Sequence, residues 1–224
     1  MLMTVVMFTV GCKPEDEPNN GGGNGGNTET HAYVDLGLPS GTLWATCNVG
    51  ANSPEEYGDG FAWGETEPKT TYNWGTYKYC NGAYNKMTKY CNDADYGDNG
   101  FTDNLTTLLP EDDAATANWG SSWCMPTVEQ WRELIDHTTH TWTTQNGVKG
   151  RLFTASNGNS LFLPDVGGRW VIEFNRTGGY GEYWSSSLYT NSPGRAWGFF
   201  FYSDYFGDLE REYCESVRPV RSER

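Results

Sequence analysis

The stretch from Ala32, "AYVDLGLPSGTLWATCNVG", alternates in parity. Tyr33, Asp35 and Gly37 fall on one side and Val34, Leu36 and Leu38 on the other, which predicts two short strands around the turn "PSG". Residues 51 to 104 then show neither helical nor strand period and predict a long ordered loop region pinned by Trp63, Trp74 and several tyrosines. Each such ring can bury on the order of 150 to 250 Å² to offset the entropy of ordering the loop. The 3.6-residue period appears in "MPTVEQWRELIDHTTH". Val128, Trp131, Leu134 and Ile135 share a face behind a Thr127/Gln130 capping box. "PEDDAATANWG" predicts a second short helix that starts at Pro110, with Glu111, Asp112 and Asp113 at the positive end of its dipole. Strand-like runs follow: "GRLFTA", "SLFLPDVGG", "YWSSSLYT", "RAWGFFFY", "LEREYCE" and "SVRPVR". Strand, loops, helices and then strands predict an α+β fold on an antiparallel sheet.

The densest apolar stretch is "AWGFFFYSDYFGDLEREY", which predicts a hairpin. Strand alternation puts Trp197, Phe199 and Phe201 on one side, assigned to the core, and Ala196, Gly198, Phe200 and Tyr202 on the other. On the returning strand Leu209, Arg211 and Tyr213 alternate with Glu210, Glu212 and Cys214. Carboxylates cannot be buried wholesale without partners, so part of this hairpin is expected to face water.

The apolar start "MLMTVVMFTVGC" is too short for a helix to span a bilayer, which takes about 20 residues, but it suits a secretory signal. Thr-Val-Gly-Cys resembles a bacterial lipobox. The expected organisation is a signal peptide over residues 1–11, a flexible tether over 12–31 lipidated at Cys12, and one domain over 32–224. "KPEDEPNNGGGNGGNTET" has too little apolar area to order itself. Acids just behind the lipidated cysteine resemble the surface-export signal of lipoproteins in the Bacteroides group. The expected location is the outer membrane, at the cell surface, with a periplasm-facing protein as the alternative. The membrane would then be met through the acyl chains alone.

Composition narrows the function. The 224 residues carry a formal net charge of -14 without a cluster of Lys and Arg, which argues against nucleic acid as a partner. The 28 glycines, ten prolines and ten tryptophans favour short strands and turns over a helical bundle. Five cysteines follow Cys12. Cys80 and Cys91 are the most local pair, and no CxxC supports a zinc or redox site. His137 and His140 in "HTTH" lack a third ligand, so no metal is expected there. "DADYGDNG" departs from a calcium loop at Gly97, Asp98 and Asn104. "WSSS" has no placed base, so neither catalysis nor a cofactor is expected.

"YVDLGLPSGTLWATCNVGA", "EYGDGFAWGET", "EDDAATANWGSSWCMPTVEQWREL", "NSLFLPDVG", "YWSSS" and "SVRPVR", in this order from Ala32 to Arg221, resemble the Fibrobacter succinogenes major paralogous domain. That resemblance implies a C-type lectin-like fold with short antiparallel strands, two short helices and long ordered loops. The same fold is used by formylglycine-generating enzymes and by variable proteins of diversity-generating retroelements. Formylglycine chemistry would need a reactive cysteine pair, for which Cys214 is a lone candidate. By analogy with the variable proteins, the ligand contacts would lie between "YWSSS" and "SVRPVR": Tyr189, Ser192, Arg195, Phe200, Tyr202, Asp208, Glu210, Glu212 and Tyr213. Cys124 and Cys214 depart from the family pattern and are candidates for a bridge. The resulting expectation is a displayed adhesin-like or receptor-like module for a protein or glycan with basic or hydroxylated groups. The alternative is a structural or assembly subunit of an envelope or pilus-like complex.

Overall fold

The computed structural model describes residues 31–166, 181–201 and 205–222. The signal segment, nearly all of the tether and Tyr202 lie outside the described residues. Strands β1 (Tyr33–Asp35) and β2 (Thr42–Ala45) pair antiparallel with Val34 opposite Trp44, as the parity predicts. The last strand, β11 (Val220–Ser222), takes the other edge of β2.

The helix α2 (Val128–Asp136) forms behind its capping box. Gln130 N donates to Thr127 Oγ1 at 3.2 Å, and Thr127 N to Gln130 Oε1 at 2.9 Å. Val128, Trp131 and Leu134 are buried, with Ile135 packed beside them. The shorter helix α1 (Ala114–Trp119) starts later than its acids suggest, because Pro110–Asp112 forms a separate 3-10 turn. Asp113 is its N-cap, accepting from Thr116 N at 3.0 Å. Asp112, assigned by sequence to the dipole, is instead a buried acceptor. It takes the hydroxyls of Tyr79 and of Tyr90 (2.6 Å) and the ammonium of Lys89 (2.5 Å). Burial pushes its carboxyl up, but those three donors outweigh burial and hold it below the usual carboxylate range.

"DHTTH" does not end a helix throughout. His137 caps α2, and Thr138–Gln145 is strand β4, which turns at Asn146-Gly147 into β5 (Val148–Ala155) and then β6 (Ser160–Pro164). Asn146 and Gly147 have φ of 49° and 85°, the left-handed pair of a two-residue hairpin.

The largest sheet runs β3 (Gly60–Phe61), β10 (Glu215–Ser216), β7 (Glu182–Leu188), β8 (Arg195–Phe200), β9 (Tyr205–Glu210). The expected all-antiparallel sheet is corrected at one place: β10 pairs parallel to β7, because after β9 the chain crosses to the far side of β7. The fold is α+β, with three sheets and two helices among the described residues.

A separate core covers each side of the large sheet. One is built from the long loops and α1, with Trp63, Tyr77, Met87, Tyr90 and Ala115 packed on Trp184, Leu188, Ala196 and Leu209. The other joins Trp44, Trp131, Phe153 and Leu163 to Tyr183, Phe199 and Phe201.

Neither expected cysteine pair is bridged, since Cys80, Cys91, Cys124 and Cys214 are all thiols. The Cys80 and Cys91 sulfurs turn onto the carbonyls of Trp74 (3.2 Å) and Asp93 (3.1 Å). Cys124 is exposed and meets β11 through Val220, whereas Cys214 is buried just before β10, in a different sheet.

Candidate functional site: the open end of the C-terminal sheet

The register of β8 decides which side chains can reach a ligand. Ala196, Gly198 and Phe200 were expected to point to solvent, but that parity is packed. Ala196 is fully buried, and Phe200 lies against the loop-side core. A Cβ on Gly198 would come within 2.8 Å of Leu209 Cδ1. The loops over residues 60–125 cover this side, and their position could not be read from strand alternation.

The opposite parity is core only at one end. Phe199 and Phe201 are buried, as expected. Trp197, also assigned to the core, is half-buried, because α2 ends its cover there. Tyr189 meets the Trp197 ring edge-on at 4.9 Å between centroids, and the Arg132 guanidinium lies 5.6 Å from Trp197 and 5.5 Å from Phe206. Cross-strand pairing sets Trp197 opposite Asp208 and Arg195 opposite Glu210. Arg195 forms an ion pair with Asp208, a partly exposed contact worth at most about 1 kcal/mol. A shelf of Tyr189, Arg195, Trp197, Asp208 and Glu210 therefore lies at the open end of the sheet.

Ser192 holds the turn feeding this shelf: its N–H donates to Tyr189 O at 3.0 Å and its carbonyl accepts from Arg195 N at 2.8 Å. Trp197 and Arg132 belong to the shelf but were missed. The alternation rule sent the first inward, and the second lies on the polar face of a helix far away in sequence.

The predicted second strand "LEREYCE" is corrected too. β9 stops at Glu210, and residues 211–213 turn, with Tyr213 N donating to Glu210 O at 2.9 Å. The turn sends Arg211 fully into the loop-side core and buries Glu212 to 9% exposure. Glu212 is pushed up to about 7 by burial and then by the neighbouring Glu210, with which it shares a hydrogen bond. Tyr213, half-buried, is pushed up to about 12 by burial and by Glu210. Seven of the nine predicted contacts are thus gathered around the end of β8 and β9; Phe200 points into the loop-side core, and Tyr202 lies outside the described residues.

A second carboxyl pair lies within the sheet. Glu182 and Glu215 are 5% and 2% exposed, and Glu215 acts on the Glu182 carboxyl. Burial raises Glu182 from 4.5 to about 7, against a smaller lowering influence of Glu215. The neutral form favours the folded state, so this stability is complete below pH 4.5 and is lost as pH rises from 4.5 to 7. Glu182→Gln is expected to add about 1–3 kcal/mol at pH 8 and to flatten that slope, as read from urea unfolding at pH 5 and pH 8. Equal pH dependence in both proteins would show that Glu182 does not carry this slope.

Among the described residues, no group of three His, Cys, Asp or Glu side chains could hold a metal ion, and no helix is long and apolar enough to cross a membrane. No family model, curated protein or solved structure matches this chain.

Proposed function

We propose that this protein is a ligand-binding module with a C-type lectin-like fold, displayed on the outer membrane through a lipid on Cys12, that binds a protein or glycan at the Trp197 shelf. The observation that carries this reading is the shelf itself. Among the described residues, aromatic rings and charges of both signs collect at an end of the sheet where the two cores leave Trp197, Arg195 and Asp208 only half-buried. Rigid rings bordered by hydrogen-bonding charges give large contact area at small entropic cost. The acidic residues after Cys12 support outward display.

The test is capture of ligands from protein and glycan arrays by the domain, by Trp197→Ala and by Asp208→Lys. Both variants are expected to lose capture at least tenfold while their Tm stays within a few degrees, since Asp208 and Trp197 are both only half-buried. Undiminished capture by both would place binding elsewhere. If the domain captures nothing and a stoichiometric partner chain co-purifies with it from the outer membrane, the assembly-subunit reading replaces this one.

A further inference from the structure

We infer that the ligand of this shelf is an extended basic polypeptide strand, added to the outer edge of β9 with a lysine or arginine seated between Glu210 and Glu212. The inference rests on the binding reading above and narrows it to one ligand class.

The first observation is the edge. Among the described residues, β8 is the only ladder partner of β9. Phe201 N donates to Gly181 O and Arg211 N to Gly194 O, which fixes the phase of both ladders. Odd residues of β8 bond towards β7, and even ones towards Tyr205, Gly207 and Leu209 of β9. The main-chain groups of Phe206, Asp208 and Glu210 therefore point away from the sheet. Among the described residues only the Glu210 carbonyl is used, by Tyr213 N at 2.9 Å. The amides and carbonyls of Phe206 and Asp208 and the amide of Glu210 remain as a template for one more strand.

The second observation is the carboxyl pair at the end of that edge. Glu212 is more than nine-tenths buried, and its Oε2 has no hydrogen-bond partner. It interacts with Glu210, with the main chain of Trp74 and, at longer range, with the charge of Lys69. Lys69 does not supply the missing cation at bonding distance, since its ammonium sits on Glu65 at 2.8 Å and on Thr76 O at 3.0 Å. A buried carboxylate oxygen beside a second carboxyl is completed by an ammonium or guanidinium that replaces the shared proton.

Charge selects among strands. A second copy of this chain, paired edge to edge, would set Asp208 and Glu210 against its own acids, and the chain carries -14 overall. A basic strand meets no such repulsion. Its alternate side chains would project onto the face that carries Asp208 and Glu210.

The probe is a fluorescent decapeptide of alternating threonine and lysine, titrated into the domain at two salt concentrations. The control has glutamate for lysine. Two further versions of equal charge are N-methylated on one or the other alternate set of amides. The lysine peptide is expected to bind, the glutamate peptide at least tenfold more weakly, and one N-methylated set to abolish binding while the other preserves it. Glu212→Gln mimics the protonated group, so it keeps the fold and is expected to weaken binding at least tenfold. Binding of the wild-type domain is expected to release a proton near pH 7, seen as buffer-dependent heat in calorimetry, and the variant to release none. Equal binding of both N-methylated peptides, or undiminished binding by Glu212→Gln, overturns the inference. Array capture that depends on Trp197 but is not competed by the lysine peptide also overturns it and leaves the binding-module reading standing.

Discussion

Replacing Arg211 with methionine is expected to cost about 3–5 kcal/mol, the range for removing one partner from a buried charged network. In a domain of this size that lowers Tm by roughly 10 °C. Arg211 is fully buried. Its guanidinium donates to Tyr77 Oη (2.8 Å), Pro193 O (2.9 Å), Tyr90 O (3.1 Å) and Lys89 O (3.1 Å), and its Cζ lies 4.8 Å from the centre of the Trp63 ring. Those acceptors come from two separate loops, so one planar fork ties residues 77–90 and the turn at Pro193 to the end of β9. Methionine would fill much of the volume but leave three buried carbonyls without donors. Lysine would keep the charge yet could not reach the same set in one geometry, and is expected to rescue less than half of the loss. The measurement is urea unfolding, with amide exchange of residues 77–90 as the local readout. A loss under 1 kcal/mol for methionine would mean that the loops are held by ring packing alone.

Trp131→Ala is expected to cost about 4 kcal/mol, within the 3–5 kcal/mol range for truncating a large buried aromatic. Trp131 is fully buried between α2 and the large sheet. Its ring lies 4.7 Å from Trp44 and 5.0 Å from Phe199, and its indole N–H donates to Trp184 O at 3.2 Å. Three sheet or helix elements meet at this residue, so the cavity cannot collapse without moving one of them. Trp131→Phe refills part of the volume and is expected to cost about half as much, leaving the Trp184 carbonyl without its donor. Denaturant midpoints of the two variants check the ranking. Near-equal values would assign the loss to the hydrogen bond rather than to packing.

Arg132, beside Trp131 in the same helix, links this packing to the site. The helix face that buries Trp131 leaves Arg132 over Trp197 and Phe206, so the pose of α2 sets the floor of the shelf. Binding assays on Trp131 variants therefore belong well below their reduced denaturation midpoint, in cold denaturant-free buffer.

Local rules carried a large part of the fold. The parity around "PSG" determined β1 and β2, and the Thr127/Gln130 box with its apolar stripe determined α2, because those signals involve residues within one turn or one strand. Asn146-Gly147 was an equally local hairpin signal, hidden by the threonine-rich flank that gives β4 no apolar stripe. The C-terminal cluster of candidate contacts was also legible as a segment, since its acids and rings cannot all be buried.

What alternation could not supply was the identity of the covered side. A strand has two faces, and which one meets solvent depends on what lies over it; here the aperiodic loops cover the even residues of β8, and α2 stops short of Trp197. The same long-range packing turned Arg211 inward, left Glu212 buried beside Glu210, and exposed the outer edge of β9. Most of these outcomes rest on partners far away in sequence, such as Tyr77 for Arg211 and Arg132 for Trp197, where no local pattern constrains the choice.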